Sequence, residues 1–238
     1  MSAVLELPWN FSDELPFQGL GYYWKGEIKF HSGASLSVVA AHASKMGMVP
    51  ASIIATRMAL HFRPKLLIMS GICAGFPGTS SIGDAILANP TWDWQAGKKI
   101  LKDNMPDFSS EPHQLDVDEV VVSKFQVMCE DREIWQSIRA DWKGTAPPRD
   151  PKGVIGACAS GSSVLADTIT ASNIKYQQHR KLTAIDMEIY GIYSVGHYLP
   201  SPRPYTFAIK GFRILLMPKR QTTFRHMRRT VALEQSRT

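Results

Sequence analysis

Apolar residues along the chain fall mostly in short continuous runs, the pattern of strands buried on both faces, and these runs alternate with stretches of helical spacing. Ala34 to Ala41 predicts a short buried strand. Met46 to Phe62 carries Val49, Ile53, Ile54 and Met58 at helical spacing, and Arg63-Pro64 stops it. Lys65 to Met69 predicts a second buried strand. Ser70 to Gly83 holds four glycines and a proline and reads as a loop. Asp84 to Ala88 is a third strand, ended by Asn89-Pro90, and Trp92 to Ser110 an irregular excursion. Val117 to Trp142 forms one or two helices, with Lys143 to Pro151 as a connector. Lys152 to Ala159 is a strand, Ser162 to Gln178 a helix, Thr183 to Asp186 a strand, Glu188 to His197 a helix and Tyr205 to Lys210 a strand. This alternation predicts an α/β fold, with a mostly parallel central sheet and helices on both faces.

The length of 238 residues, with 44% hydrophobic and 20% charged, suits one globular domain and excludes disordered, collagen-like and coiled-coil chains. No apolar run approaches the roughly 20 residues that cross a bilayer, and MSAVLELPWN lacks the basic and apolar regions of a secretory signal. Cys73, Cys129 and Cys158 are widely spaced and form no CxxC, which argues against disulfides or structural zinc and for a reducing, cytoplasmic setting. The formal charge of +6 resides in the tail. Arg213, Arg220, Arg225, Arg228, Arg229, Arg237 and Lys219 face only Glu234 there, so the preceding body is neutral. The expected organisation is a domain over residues 1–212 and a basic tail over 213–238.

Ligands of such sheets bind at the carboxyl ends of strands. Three stretches fall there: Ser70 to Gly75, Ala159 to Ser163, and Asp186-Met187-Glu188. The glycines of the first allow backbone N–H groups to approach an anion or sugar, though an ordinary turn explains them as well. Hydroxyls in the second read as helix caps. Glu188, after an apolar strand and a methionine, suits either a helix-start carboxylate or a part-buried acceptor for two vicinal hydroxyls. His42, His61, His113 and His179 fall in no metal-ligand spacing, and no Gly-x-Ser-x-Gly elbow is present.

Taken in order, SGICAGFPGTSSIGDAILANP, GACASGSSVLAD and AIDMEIYGIY resemble the superfamily of purine nucleoside phosphorylases and methylthioadenosine/S-adenosylhomocysteine nucleosidases. The branch with a TWDW-type loop, here Thr91 to Trp94, is nearest. The resemblance covers about Gly21 to Lys210. It implies a three-layer α/β/α single domain that cleaves the N-glycosidic bond of a purine nucleoside or nucleotide, commonly as a homodimer. Under it Ile72, Cys73, Ala74 and Gly75 line the sugar site, and Ser163 precedes Val164 and Leu165, which pack on the base. Met187 meets the sugar face, and Glu188 accepts from both ribose hydroxyls beside an oxocarbenium-like transition state. No metal or cofactor is implied. Phosphate is an optional co-substrate, for which Lys45 and Arg57 are the candidate cations. Neither a membrane nor a nucleic acid is an expected partner.

The resemblance also calls for a base, a glutamate after an N-terminal first strand, and an acid, an aspartate in an SDFAD-like motif after the last core strand. Neither motif is readable. Glu6 and Glu14 are the nearby acids, and the first strand is expected upstream of Met1, leaving an edge that Leu5 to Trp9 could patch. After Lys210, one permissible set of codons for GFRILLMPKRQTTFRHMRRTV reads, shifted by one base, ISDFADAEKTDDFQAYAAYSS. This string holds the missing motif, so a one-base deletion near the Lys210 or Gly211 codon is expected, with turnover impaired. The other reading of the tail is a native basic helix, with Phe224, Met227 and Val231 as an apolar stripe beside Arg225, Arg228 and Arg229, that contacts nucleic acid or acidic lipid.

Overall fold

The computed structural model describes residues 1–215 apart from 20, 77, 143–145, 148 and 166–167. The tail beyond 215, with the Phe224, Met227 and Val231 stripe and most of the shifted-frame stretch, lies outside the described residues. Five strands form the central sheet: β4 (Leu66–Gly75), β5 (Ala85–Asp93), β8 (Gly153–Ser160), β9 (Leu182–Asp186) and β10 (Tyr205–Leu215). They close on themselves in the order β10-β4-β9-β8-β5. The pairs β10/β4, β5/β8 and β8/β9 are parallel, whereas β10/β5 and β4/β9 are antiparallel.

A separate antiparallel sheet joins β1 (Leu15–Phe17), β2 (Gly21–Lys29) and β3 (Ser35–Ala41). A hairpin pairs β6 (Gly97–Lys102) with β7 (Met105–Ser110). The helices are α1 (Ser2–Leu5), α2 (Met48–Phe62), α3 (Glu119–Glu130), α4 (Arg132–Ala140), α5 (Thr168–Gln177) and α6 (Ile189–Tyr198). None among the described residues is long and apolar enough to cross a membrane.

Several elements depart from the sequence reading. Ser70 to Gly75 is strand: β4 runs on through its glycines because β10 stays beside it, from Tyr205↔Leu66 to Leu215↔Gly75. β5 likewise passes through Asn89-Pro90, resuming its pairing with β8 at Thr91↔Cys158. The stretch from Trp92 to Ser110 contains the β6/β7 hairpin. The strand over residues 35–41 forms, but in the separate sheet and only half-buried. Residue 212, the expected domain end, falls inside β10. Leu5 to Trp9 adds no strand; Trp9 accepts from the N–H of Glu27 in β2. Over Leu66–Cys73 the second edge of β4 has no partner strand among the described residues, and Leu66, Ile68 and Ile72 are exposed.

The largest core cluster fills the closed sheet with Ile86, Leu87, Ala88, Cys158, Ala184, Ala208 and Phe212, capped by Ile189 and Tyr193 of α6 and Phe125 of α3. Tyr193 fastens two strands across it, its Oη donating to Ala88 O at 2.6 Å and accepting from Ala208 N at 3.0 Å. α2 packs on α6 through Ala51, Ala55 and Ala59, whose spacing of four puts small side chains on one face. The close approach requires Gly191, where a Cβ would stand 2.8 Å from Met48 O. α3 and α4 begin at Asp118 and Asp131, whose carboxylates accept from first-turn N–H groups.

Candidate active site

β9 is buried throughout and ends on Asp186, from which the chain turns into α6 three residues later. Asp186 is a hub. Its carboxylate accepts from Ser160 Oγ at 2.6 Å, from the N–H groups of Glu188 and Ile189, each at 3.1 Å, and from Lys210 Nζ at 3.0 Å. It therefore caps α6, the helix start at which the sequence offered Glu188 as a carboxylate in one of its two readings. Ser160 caps the same helix rather than one that follows it, accepting from Tyr190 N at 2.9 Å while donating to Asp186.

Glu188 is released from capping and held otherwise. Its Oε1 accepts from Gly47 N at 3.1 Å and its Oε2 lies 3.4 Å from Lys210 Nζ. Gly47 opens α2 at φ 114°, a conformation that suits glycine, so the helix start after β3 meets the helix start after β9 at this carboxylate. The Glu188 side chain is 18% exposed, against 1% for Asp186 and 2% for Lys210. A carboxylate offers about four acceptor positions, so two remain for a ligand at the exposed side.

Lys210 was not singled out by the sequence. A lone lysine closing the apolar run Phe207-Ala208-Ile209 is the signal that could have found it, since a buried ammonium demands partners. Here the partners are the two carboxylates.

Ile72 to Gly75 occupy the last turn of pairing in β4 rather than a loop. Ala74 and Gly75 pair with Ile185 and Ala184 of β9, which sets the stretch beside Asp186. Ile72 is exposed, and Gly75 is pressed between Phe212 and Thr183 O. Burial pushes the Cys73 thiol from 9.0 up to about 12, with Asp186 adding to the rise and Lys210 opposing it, so it is a packed group and no nucleophile. Ser163 and Val164 are exposed, Leu165 packs half-buried against the Phe76 and Trp92 cluster, and Met187 is half-buried.

Other candidates lie elsewhere. Arg57 donates to Gln18 O and Gly19 O, tying α2 to the β1/β2 turn, and Lys45 is exposed. Glu6 follows α1, and Glu14 is exposed ahead of β1. Among the described residues no three His, Cys, Asp or Glu side chains converge as a metal site.

Residues 10–202 match the phosphorylase superfamily. The chain belongs to the phosphorylase superfamily. Over 190 residues it is 32% identical to the protein y4jS of Sinorhizobium fredii, a match that covers 80% of this chain and 46% of that one, so this phosphorylase-superfamily chain spans about half its relative's length. Solved structures share the fold. A mutant futalosine hydrolase of Helicobacter pylori superposes with a TM-score of 0.62 at 17% identity, covering 89% of this chain and 83% of that one. The 5′-methylthioadenosine/S-adenosylhomocysteine nucleosidase of Campylobacter jejuni gives 0.62 at 17%, covering 91% and 82%. The corresponding Colwellia psychrerythraea nucleosidase, in complex with adenine, gives 0.64 at 15%, covering 90% and 78%.

Proposed function

We propose that this chain binds an adenine-type nucleoside or nucleotide and is built for hydrolysis of its N-glycosidic bond, with turnover impaired. One observation carries the reading: Glu188, pinned by Gly47 and Lys210, keeps acceptor capacity and 18% exposure at the junction of the two helix starts. A carboxylate so held is suited to a vicinal diol. As the bond to the base breaks, positive charge develops on the sugar, and a fixed anion beside it stabilises that charge more than the neutral ground state. Met187 and the end of β4 flank the sugar, and Val164 and Leu165 the base.

Water suits this site better than phosphate as the attacking group. Its buried cation, Lys210, is already held between two carboxylates, Glu188 and Asp186, so it is not free to receive an incoming phosphate dianion. The same reading gives impaired turnover its cause. After Lys210 the strand continues with Gly211, buried Phe212 and exposed Arg213, none of which can protonate a departing purine. A homodimer and a cytoplasmic location complete the proposal, supported by the apolar outer face of α2 and by three unpaired cysteines.

The test is adenine release from adenosine, methylthioadenosine, AMP and ATP, beside equilibrium binding of adenine and methylthioadenosine. Binding with release reduced by about 10²–10⁴ relative to an active nucleosidase is the expected result. Absence of binding overturns the reading, and rapid release overturns the impairment.

A further inference from the structure

Between the end of β8 at Ser160 and the start of α5 at Thr168, the segment that carries Ser163, Val164 and Leu165 is held from outside, by the residues that follow β5. The N–H of Ser162 donates to Gln95 Oε1 at 2.6 Å, and Gln95 Nε2 donates to Ser163 Oγ at 3.5 Å. One planar amide thus supplies the acceptor and the donor that two successive residues need.

Gln95 is anchored in turn. Its own N–H donates to Asp93 Oδ1 at 2.8 Å, and the Trp94 N–H donates to Ser160 O at 3.0 Å. On the far side Gln178, just past α5, donates from Nε2 to Trp94 O at 3.0 Å and accepts from Trp92 Nε1 at 2.8 Å. The Trp94 ring lies so close to Gly161 that a Cβ there would collide with it. Trp92 is fully buried, so the clamp is rooted in the core although Gln95 itself is exposed. What the clamp presents is Val164, 71% exposed, beside the half-buried Leu165.

We propose that Gln95 is a positioning residue for purine recognition: it sets the conformation of residues 161–165, and through them the affinity for the base, while leaving the ribose grip of Glu188 untouched. This rests on the purine-pocket reading above. The amide acts by shaping the wall the base packs on, without touching ligand itself.

Wild type, Gln95→Ala and Gln95→Glu are compared in adenine binding by equilibrium dialysis, in binding of free ribose measured separately, and in hydrogen exchange over residues 161–165. Gln95→Ala is expected to speed exchange in that segment and to weaken adenine about tenfold, the loss of about one net hydrogen bond. Ribose affinity and the melting temperature are expected to stay unchanged. Gln95→Glu keeps the acceptor for Ser162 N–H, so it is expected to restore most of the exchange protection. Unchanged exchange in Gln95→Ala overturns the inference. So does faster exchange with undiminished adenine affinity, and this leaves the purine reading standing. A wild-type chain that binds no adenine overturns both together.

Discussion

Gly71 and Lys210 face one another in register across β4 and β10, and the lysine side chain crosses the glycine so closely that a Cβ there would stand 3.1 Å from Nζ. The bare backbone of Gly71 makes the lane through which the ammonium reaches Asp186 and Glu188. Gly71→Ala is therefore expected to shift Nζ by a few tenths of an ångström, loosening its longer contact, at 3.4 Å to Glu188, before its shorter one to Asp186. Nucleoside affinity should fall severalfold with little change in melting temperature, which calorimetry and a thermal melt distinguish.

Removing the ammonium altogether is a larger change. Lys210→Met leaves Asp186 buried without its counter-charge, a loss on the order of 3–5 kcal/mol, while Lys210→Arg retains the charge and should recover part of it. Urea unfolding at neutral pH measures both, and a Lys210→Met variant as stable as wild type would contradict the pairing described.

Glu188→Gln separates grip from stability. The N–H of Gly47 keeps an acceptor if the amide oxygen faces it, so the fold should lose at most about 1 kcal/mol. Methylthioadenosine binding should weaken by about tenfold or more, because two hydrogen bonds from a diol to a charged group are replaced. Unchanged affinity would remove Glu188 from the ligand.

The buried thiols make stability sensitive to alkali. The Cys73 thiol rises from 9.0 to about 12 on burial, and burial also raises Cys158 and Tyr193. A raised acid group favours the folded state fully below its unfolded pKa, and that contribution is lost as pH climbs from about 9 towards 12. Denaturant midpoints should therefore be flat to about pH 9 and drop above it. At about pH 8, alkylation should mark the half-buried Cys129 first, with Cys73 and Cys158 reacting only after unfolding.

The outer face of α2 exposes Val49, Ile53 and Leu60, with Met46 just ahead of the helix. Their spacing of four and seven places them in one stripe. Under the homodimer proposal, Ile53→Glu should convert the dimer to monomer in sedimentation velocity at micromolar concentration. Wild-type chains that sediment as monomers would end that part of the proposal.

Much of the architecture was legible because burial leaves a sharp trace. The runs ending at Ala159, Asp186 and Lys210 are strands, Met46 to Phe62 holds a helix, and Glu188 falls between the end of β9 and the start of α6. Elements that bury little were silent: β6 is exposed along its whole length, so no alternation marks GKKILK as a strand. Glycines and Pro90 misled because tertiary pairing overrode their local preference. The division of labour between Asp186 and Glu188 was hidden too, since two carboxylates two residues apart look alike until the helix start chooses one.

The flank of β4 that meets no strand among the described residues bears on handling the protein. Its open row of amides and carbonyls, fringed by Leu66, Ile68 and Ile72, is a template on which any extended stretch can dock, so crowded or gently warmed samples should cloud through edge-to-edge stacking well before the closed sheet melts.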